Sequence, residues 1–287
     1  MPVSIEPRAP ALVALILSVL AACGGPAAER ARGEVAAAVQ ASLDSGSRRF
    51  EHPEWDRLLA GGTREGLVDY TFMQDHRAGL EAYLARVAGA RLDRLAPAHL
   101  EALLINAYNA YTVQSILEHP EVSSIRQIDG VWTKRRHRVG GFDLTLDEIE
   151  HNLLRPFFRD PRIHFVVNCA SRSCAPLPGW AIDGDRIDEQ LEERARSFLR
   201  DPRNARVEGR RLALSKYFDW YRADFTAEGW RGAAATIPEY VARYAAPEVA
   251  GFIRDRGGKP AVRFLDYDWS LNAALPPDAA RSGDRPG

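Results

Sequence analysis

Two cysteines five positions apart, Cys169 and Cys174, lie in "NCASRSCAP", residues 168–176, directly after the apolar run Ile163 to Val167. Such a pair admits three kinds of chemistry. The two sulfurs can close on each other as a disulfide, they can join a histidine in holding zinc, or one can act as a thiolate nucleophile. A nucleophile at Cys169 needs a base within reach and donors for an oxyanion, for which the Asn168 amide and the backbone amides of Ala170 to Ser173 are the local candidates. No histidine follows Cys169, which excludes the cysteine-then-histidine order of papain-like and transglutaminase-like enzymes. His164 is nearest in sequence, but on an extended strand it faces away from Cys169 and stands about 16 Å from it at roughly 3.3 Å per residue. The remaining bases are His151 and His137. His151 is preferred, because Glu148 three residues earlier shares its face on an α-helix and can orient the imidazole. A zinc site would need a second close ligand pair, which is missing, so no metal is expected. No cofactor motif is visible, and none is expected.

Several elements must position these groups. "PAHLEALLINAYNAYTVQSILE", residues 97–118, carries apolar side chains at helical spacing between Pro97 and Pro120, and reads as a long, largely buried helix. Asn106 and Asn109, three apart within it, need hydrogen-bond partners there. Tying the helix to a neighbouring backbone is the favoured role, and binding a ligand the alternative. "VWTKRRHRVGGFDLTL" reads as a β-hairpin turning at Gly140-Gly141, with His137 on its first strand and a solvated basic face from Lys134 to Arg138. Thr145 and Glu148 then form a capping box at the start of the helix bearing His151. "IHFVVN", residues 163–168, reads as a buried strand whose exit presents Asn168, Cys169 and Ser171. An amphipathic helix after Asp185, a hairpin turning near Glu208-Gly209, the aromatic-rich "KYFDWYRADF" and a last strand in "VRFLDYDWSLN" complete an α+β pattern. It is mainly helical around a small sheet with hairpins, with α/β as the alternative.

The organisation of the whole chain narrows the setting. Of its 287 residues, 11–22 form an uncharged apolar stretch of signal-peptide length, too short to span a bilayer, and it ends in Leu20-Ala21-Ala22-Cys23. This order resembles the bacterial lipobox, which implies a signal peptide over 1–22 and lipid on Cys23. The partner so implied is a membrane, with the protein in the bacterial cell envelope, facing the periplasm or exterior. Residues 23–49 read as the lipidated cysteine and a flexible tether, 50–275 as one globular domain, and 276–287 as a disordered tail. Lipidation would leave an even pair of cysteines in an oxidising compartment, which favours a Cys169–Cys174 disulfide. Its gain would be modest, since about 3 kcal/mol already requires a loop of roughly fifteen residues. A net charge of −1 argues against a nucleic-acid partner.

Taken in order, "INAYNAYTVQSIL", "LTLDEIEHNLLR", "DPRIHFVVNCASRSCAPL", "LSKYFDWYRADF" and "YDWSLN" resemble the domain-of-unknown-function 547 family over about residues 100–272. Family members usually read Cys-Pro-Pro where this chain has Cys174-Ala175-Pro176. The resemblance implies a compact domain, often exported to the bacterial envelope, without an established activity. It brings forward Asn106, Asn109, Glu148, His151, His164, Asn168, Cys169, Ser171 and Cys174. The reading that results is a membrane-anchored envelope domain with a ligand- or partner-binding site around 168–176. Its alternative is a cysteine-dependent hydrolase or acyl transferase using Cys169 and His151.

Overall fold

The long helix Pro97–Leu117 runs through the centre of the protein, with Pro97 in its first turn and apolar side chains on every face. A helix apolar all round must be enclosed, and here Leu100, Leu104, Ala107 and Ile116 are all buried. The computed structural model describes residues 26–274. The expected signal peptide, Cys23 and the tail 276–287 lie outside the described residues. Among those described, no helix is long and apolar enough to cross a membrane.

The architecture is mainly helical with small sheets and hairpins. Helices Tyr70–Asp75 and Arg77–Ala88 pack against the central helix, and Pro53–Gly62 packs on those two, with the two-residue strands β1 (Thr63–Arg64) and β2 (Leu67–Val68) among them. The hairpin β3 (His137–Val139) and β4 (Phe142–Leu144) pairs Val139 with Phe142. It turns through Gly140 and Gly141, both at positive φ (58° and 86°), as a two-residue hairpin loop requires. A second hairpin, β5 (Ala205–Glu208) and β6 (Arg211–Leu214), receives β7 (Ala261–Phe264) in parallel on the free edge of β6.

Two expectations are corrected here. Residues from Pro26 to Ser45 form a helix rather than a flexible tether. Val35, Val39 and Ser42 are buried, and the Ser42 hydroxyl donates to Leu95 O at 2.7 Å. A helix with an apolar stripe against a core gains more from docking than from staying free, so the folded body begins well before residue 50. The strand expected at 163–168 is also absent. Pro161–Phe165 is a 3-10 helix, begun by Pro161 and by Asp160, whose side chain accepts from Arg162 N. The segment after it gains its backbone partners from a side chain instead of a neighbouring strand: Asn109 donates to Val166 O at 2.9 Å and accepts from Asn168 N at 2.8 Å. Val166 and Val167 are buried without belonging to a sheet.

The apolar interior falls into two clusters. The larger surrounds the central helix and takes in Val166, Val167, Ala170 and Leu177. The smaller holds Phe165, Cys174 and Ala175 with Leu212, Phe218 and Phe225. Residues 165–177 are thus stitched through the seam between the two.

Candidate active site at the cysteine loop

At this seam a cavity of about 180 Å³ receives residues from both clusters. Its reactive and charged lining consists of Cys169, Cys174, His151, His164, Asp147 and Glu150. Trp132, Trp220, Trp269, Tyr217, Tyr221 and Tyr267 supply much of the rest.

The loop that carries Cys169 is tightly held. Ala170 sits at φ 59°, the left-handed region that costs a side chain energy, and it is fixed there from both sides. Its N–H donates to Asn168 Oδ1 at 2.9 Å, and its carbonyl accepts from Asn272 N at 3.0 Å. Strain of this kind persists only where the surroundings over-determine it, and it collects at functional sites. Asn168 also donates from Nδ2 to Ala175 O at 2.7 Å.

Cys169 and Cys174 are both free thiols, which overturns the expected disulfide. Their geometry serves a different purpose. Cys169 N–H donates to Cys174 Sγ at 2.8 Å, and the Tyr217 hydroxyl donates to the same sulfur at 3.1 Å. Cys169 Sγ lies 3.2 Å from Ser171 Oγ and 3.3 Å from the Tyr267 hydroxyl, which are themselves 2.8 Å apart. The hydrogen bond from Cys174, against the opposing effect of burial and with help from Ser171 and Tyr267, lowers the Cys169 pKa from 9.0 to about 7. Burial pushes the Cys174 thiol well up, so that sulfur keeps its proton. The thiolate belongs on Cys169, ringed by donors.

His151 reaches the cavity from the helix Glu148–Phe158, which is a π-helix rather than the α-helix implied by the spacing. Its wider turn, closed by i→i+5 hydrogen bonds, turns residues three apart away from each other. Glu148 therefore does not orient His151. Its carboxylate accepts from Thr145 N at 2.9 Å in the capping box and pairs with Arg136. Arg155 takes the orienting place: Nη1 donates to His151 Nδ1 at 2.9 Å, while Nε and Nη2 grip Asp224 at 2.6 and 2.8 Å. Because a guanidinium can only donate, Nδ1 is the accepting nitrogen and a neutral ring carries its proton on Nε2. Nε2 stands 3.9 Å from Asp147, beyond hydrogen-bond reach. His151 is consequently placed as a donor to whatever occupies the cavity, not as the base expected for Cys169.

His164 lines the same cavity once the strand gives way to a 3-10 turn. Its Nε2 bonds Asp224 at 2.8 Å, its ring stacks on Tyr221 with centroids 3.9 Å apart, and Nδ1 lies 4.0 Å from Glu150. Burial raises the Asp224 carboxyl, but the hydrogen bonds from His164 and Arg155 outweigh it and hold the pKa below the usual carboxylate value. Burial, followed by the charge of Glu150 and a hydrogen bond to it, pushes the Tyr221 phenol up.

The other residues singled out in the sequence fall elsewhere or are already occupied. Asn106 donates to Ile182 O at 2.7 Å and accepts from Ile182 N at 3.0 Å, tying the central helix to the loop at Ile182. His137 is buried in its hairpin against Tyr111, with ring centroids 4.4 Å apart, and does not line the cavity. Four of the expected oxyanion donors are committed: Asn168 Nδ2 to Ala175 O, Ala170 N to Asn168, Arg172 N to Ser270 O and Ser173 N to Asp268 O. Sequence reasoning did not assign a role to Tyr267, Trp220, Trp269, Arg155 or Asp224, although "KYFDWYRADF" and "YDWSLN" announce most of them as aromatic-rich segments. Among the described residues, no group of three or more His, Cys, Asp or Glu is arranged to hold a metal ion.

Residues 92–199 match the family described as Protein of unknown function, DUF547. This segment is a DUF547 domain. The DUF547 segment supplies the cysteine loop, the central helix and the π-helix, while Tyr217, Trp220, Tyr221, Tyr267 and Trp269 lie beyond its end. The chain matches no curated protein and no solved structure.

Proposed function

We propose that Cys169 is a thiolate nucleophile in an acyl-transfer or hydrolytic reaction, with His151 as the donor that polarises the carbonyl. The observation carrying this reading is the unbonded Cys169 sulfur, held among the hydroxyls of Ser171 and Tyr267 and the Cys174 thiol in an aromatic cavity. A thiol with a pKa of about 7 is half ionised at neutral pH and needs no separate base. Attack forms the bond from sulfur to the carbonyl carbon and moves the π electrons onto oxygen. His151 Nε2–H is a donor in the cavity for that oxygen, as a neutral imidazole can polarise a carbonyl without giving up its proton. Collapse expels the leaving group with its electron pair, to be protonated by solvent. Water or another acceptor then cleaves the thioester and regenerates the thiolate.

Alkylation tests this reading directly. The rate of iodoacetamide incorporation at Cys169 should rise with pH about a midpoint near 7, since the group is unreactive when protonated below it and fully ionised above it. With activated esters, a mass shift at Cys169 that hydroxylamine removes should mark the acyl-enzyme. A folded protein whose Cys169 titrates near 9, or that accumulates no thioester, would refute the assignment.

We also propose that lipid on Cys23 anchors the domain in a bacterial envelope. Support comes from the order of apolar stretch, small residues and cysteine in residues 11–23. Metabolic labelling with a clickable fatty acid should mark the wild-type chain in a bacterial host and miss Cys23→Ala; equal labelling of both would discard the anchor.

A further inference from the structure

The walls around Cys169 say what kind of group can enter. The cavity lining holds two carboxylates, Asp147 and Glu150, and the reactive sulfur, but neither lysine nor arginine. Glu150 is buried, and among the described residues its one ion-pair contact is His164 Nδ1 at 4.0 Å. Above these groups the aromatic rings form a continuous rim: Tyr267 and Trp269 have centroids 4.5 Å apart, Trp220 and Tyr267 4.8 Å, and Trp132 and Trp269 6.2 Å. Among the described residues, Trp220 is the large apolar side chain left exposed, at 44%. Ring faces carry negative potential, and carboxylates add to it.

The chain's own cations already use this property. The Arg126 guanidinium lies 5.2 Å from the Trp269 ring centroid, and that of Arg155 lies 5.2 Å from Tyr221. Burial first, and then the nearby charges of Glu150 and Cys169, push the Tyr108 phenol well up. An anionic or carboxylate-bearing substrate would have to enter a cavity lined by the thiolate and two carboxylates, at electrostatic cost. Volume narrows the choice further. About 180 Å³ falls below the roughly 300–1,000 Å³ usual for pockets that enclose a whole drug-sized ligand, so an end group enters and the remainder stays outside against Trp220.

We propose that the group entering this cavity is a compact organic cation, an ammonium or quaternary ammonium borne near the acyl carbon, held between the tryptophan and tyrosine faces and the Glu150 and Asp147 carboxylates. The inference rests on Cys169 as the nucleophile and specifies its substrate class.

Charge-matched thiol reagents separate the two ideas. Cys169 is treated with methanethiosulfonates of three charges: methyl (neutral), 2-sulfonatoethyl (anionic) and 2-(trimethylammonium)ethyl (cationic). In each case the thiolate attacks the sulfenyl sulfur and methanesulfinate leaves with the electron pair. With each rate divided by that of the same reagent on the urea-unfolded chain, the cationic reagent should outpace the anionic one by about tenfold or more, as one added cation–π contact or ion pair implies. Tetramethylammonium chloride should slow the neutral reagent relative to sodium chloride at equal ionic strength. Glu150→Gln should shrink the preference, and Trp220→Ala, on the exposed rim, should do so in a chain that keeps its fold. Equal normalised rates for the three charges, or a preference unchanged in both variants, would overturn the cation assignment while leaving a reactive Cys169. If even the neutral reagent fails on folded protein, the nucleophile reading falls and this inference falls with it.

Discussion

Burial ordinarily delays the ionisation of a thiol, because an apolar surrounding disfavours the anion. Cys169 departs from that rule chiefly through hydrogen bonds from Cys174, Ser171 and Tyr267. The arrangement is asymmetric at the level of single atoms. Cys174 receives the Cys169 N–H and the Tyr217 hydroxyl yet keeps its own proton, so one sulfur supports the charge on the other. Tyr267→Phe removes one donor and leaves the ring in place. A hydrogen bond to a charged group contributes about 1.5–3 kcal/mol, and one pKa unit corresponds to about 1.4 kcal/mol. The midpoint of Cys169 alkylation should therefore move up by about one unit in this variant, with stability little changed. A midpoint that stays near 7 would show that Tyr267 does not support the thiolate.

The π-helix Glu148–Phe158 does at the level of an element what no single residue can: it aims His151 into the cavity while passing Arg155 behind it to Asp224. Arg155→Ala should damage both functions. It would strand a carboxylate whose side chain is 2% exposed with His164 as its remaining partner, and breaking a buried pair in this way costs about 3–5 kcal/mol. Urea unfolding should show that loss, and a shift much below 1 kcal/mol would mean that Asp224 finds other partners. The same helix shows where the elements were legible in the sequence and where they were not. Hairpins marked by Gly140-Gly141 and Gly209, the enclosed helix Pro97–Leu117 and the Thr145/Glu148 capping box follow from local rules, and all of them form. The pairing of Glu148 with His151 assumed α-helical spacing and fails in a wider turn. "IHFVVN" has the composition of a strand, yet Asn109, from a helix more than fifty residues earlier, satisfies its backbone in place of a sheet. Residues distant in sequence decided both cases, and one local stretch does not contain that information.

For the molecule as a whole, the decisive feature is that the site spans two cores while the DUF547 match covers residues 92–199. Within that segment lie the nucleophile, His151 and the central helix. Outside it lie the Tyr267 hydroxyl that supports the thiolate, the Tyr217 hydroxyl on Cys174, and most of the second core, including Leu212, Phe218 and Phe225. The docked helix Pro26–Ser45 also lies outside, and its loss would uncover the core around Leu95. A fragment of residues 92–199 would thus expose apolar surface on two sides. At roughly 25 cal/mol for each Å² returned to water, losing several hundred Å² removes most of the 5–15 kcal/mol by which a domain is ordinarily stable. The fragment should show no cooperative urea transition, and its Cys169 should alkylate with an ordinary midpoint near 9, whereas residues 26–274 should retain both the transition and the midpoint near 7. Should the short fragment unfold cooperatively and keep a midpoint near 7, the second core would be an accessory to the site and not part of it.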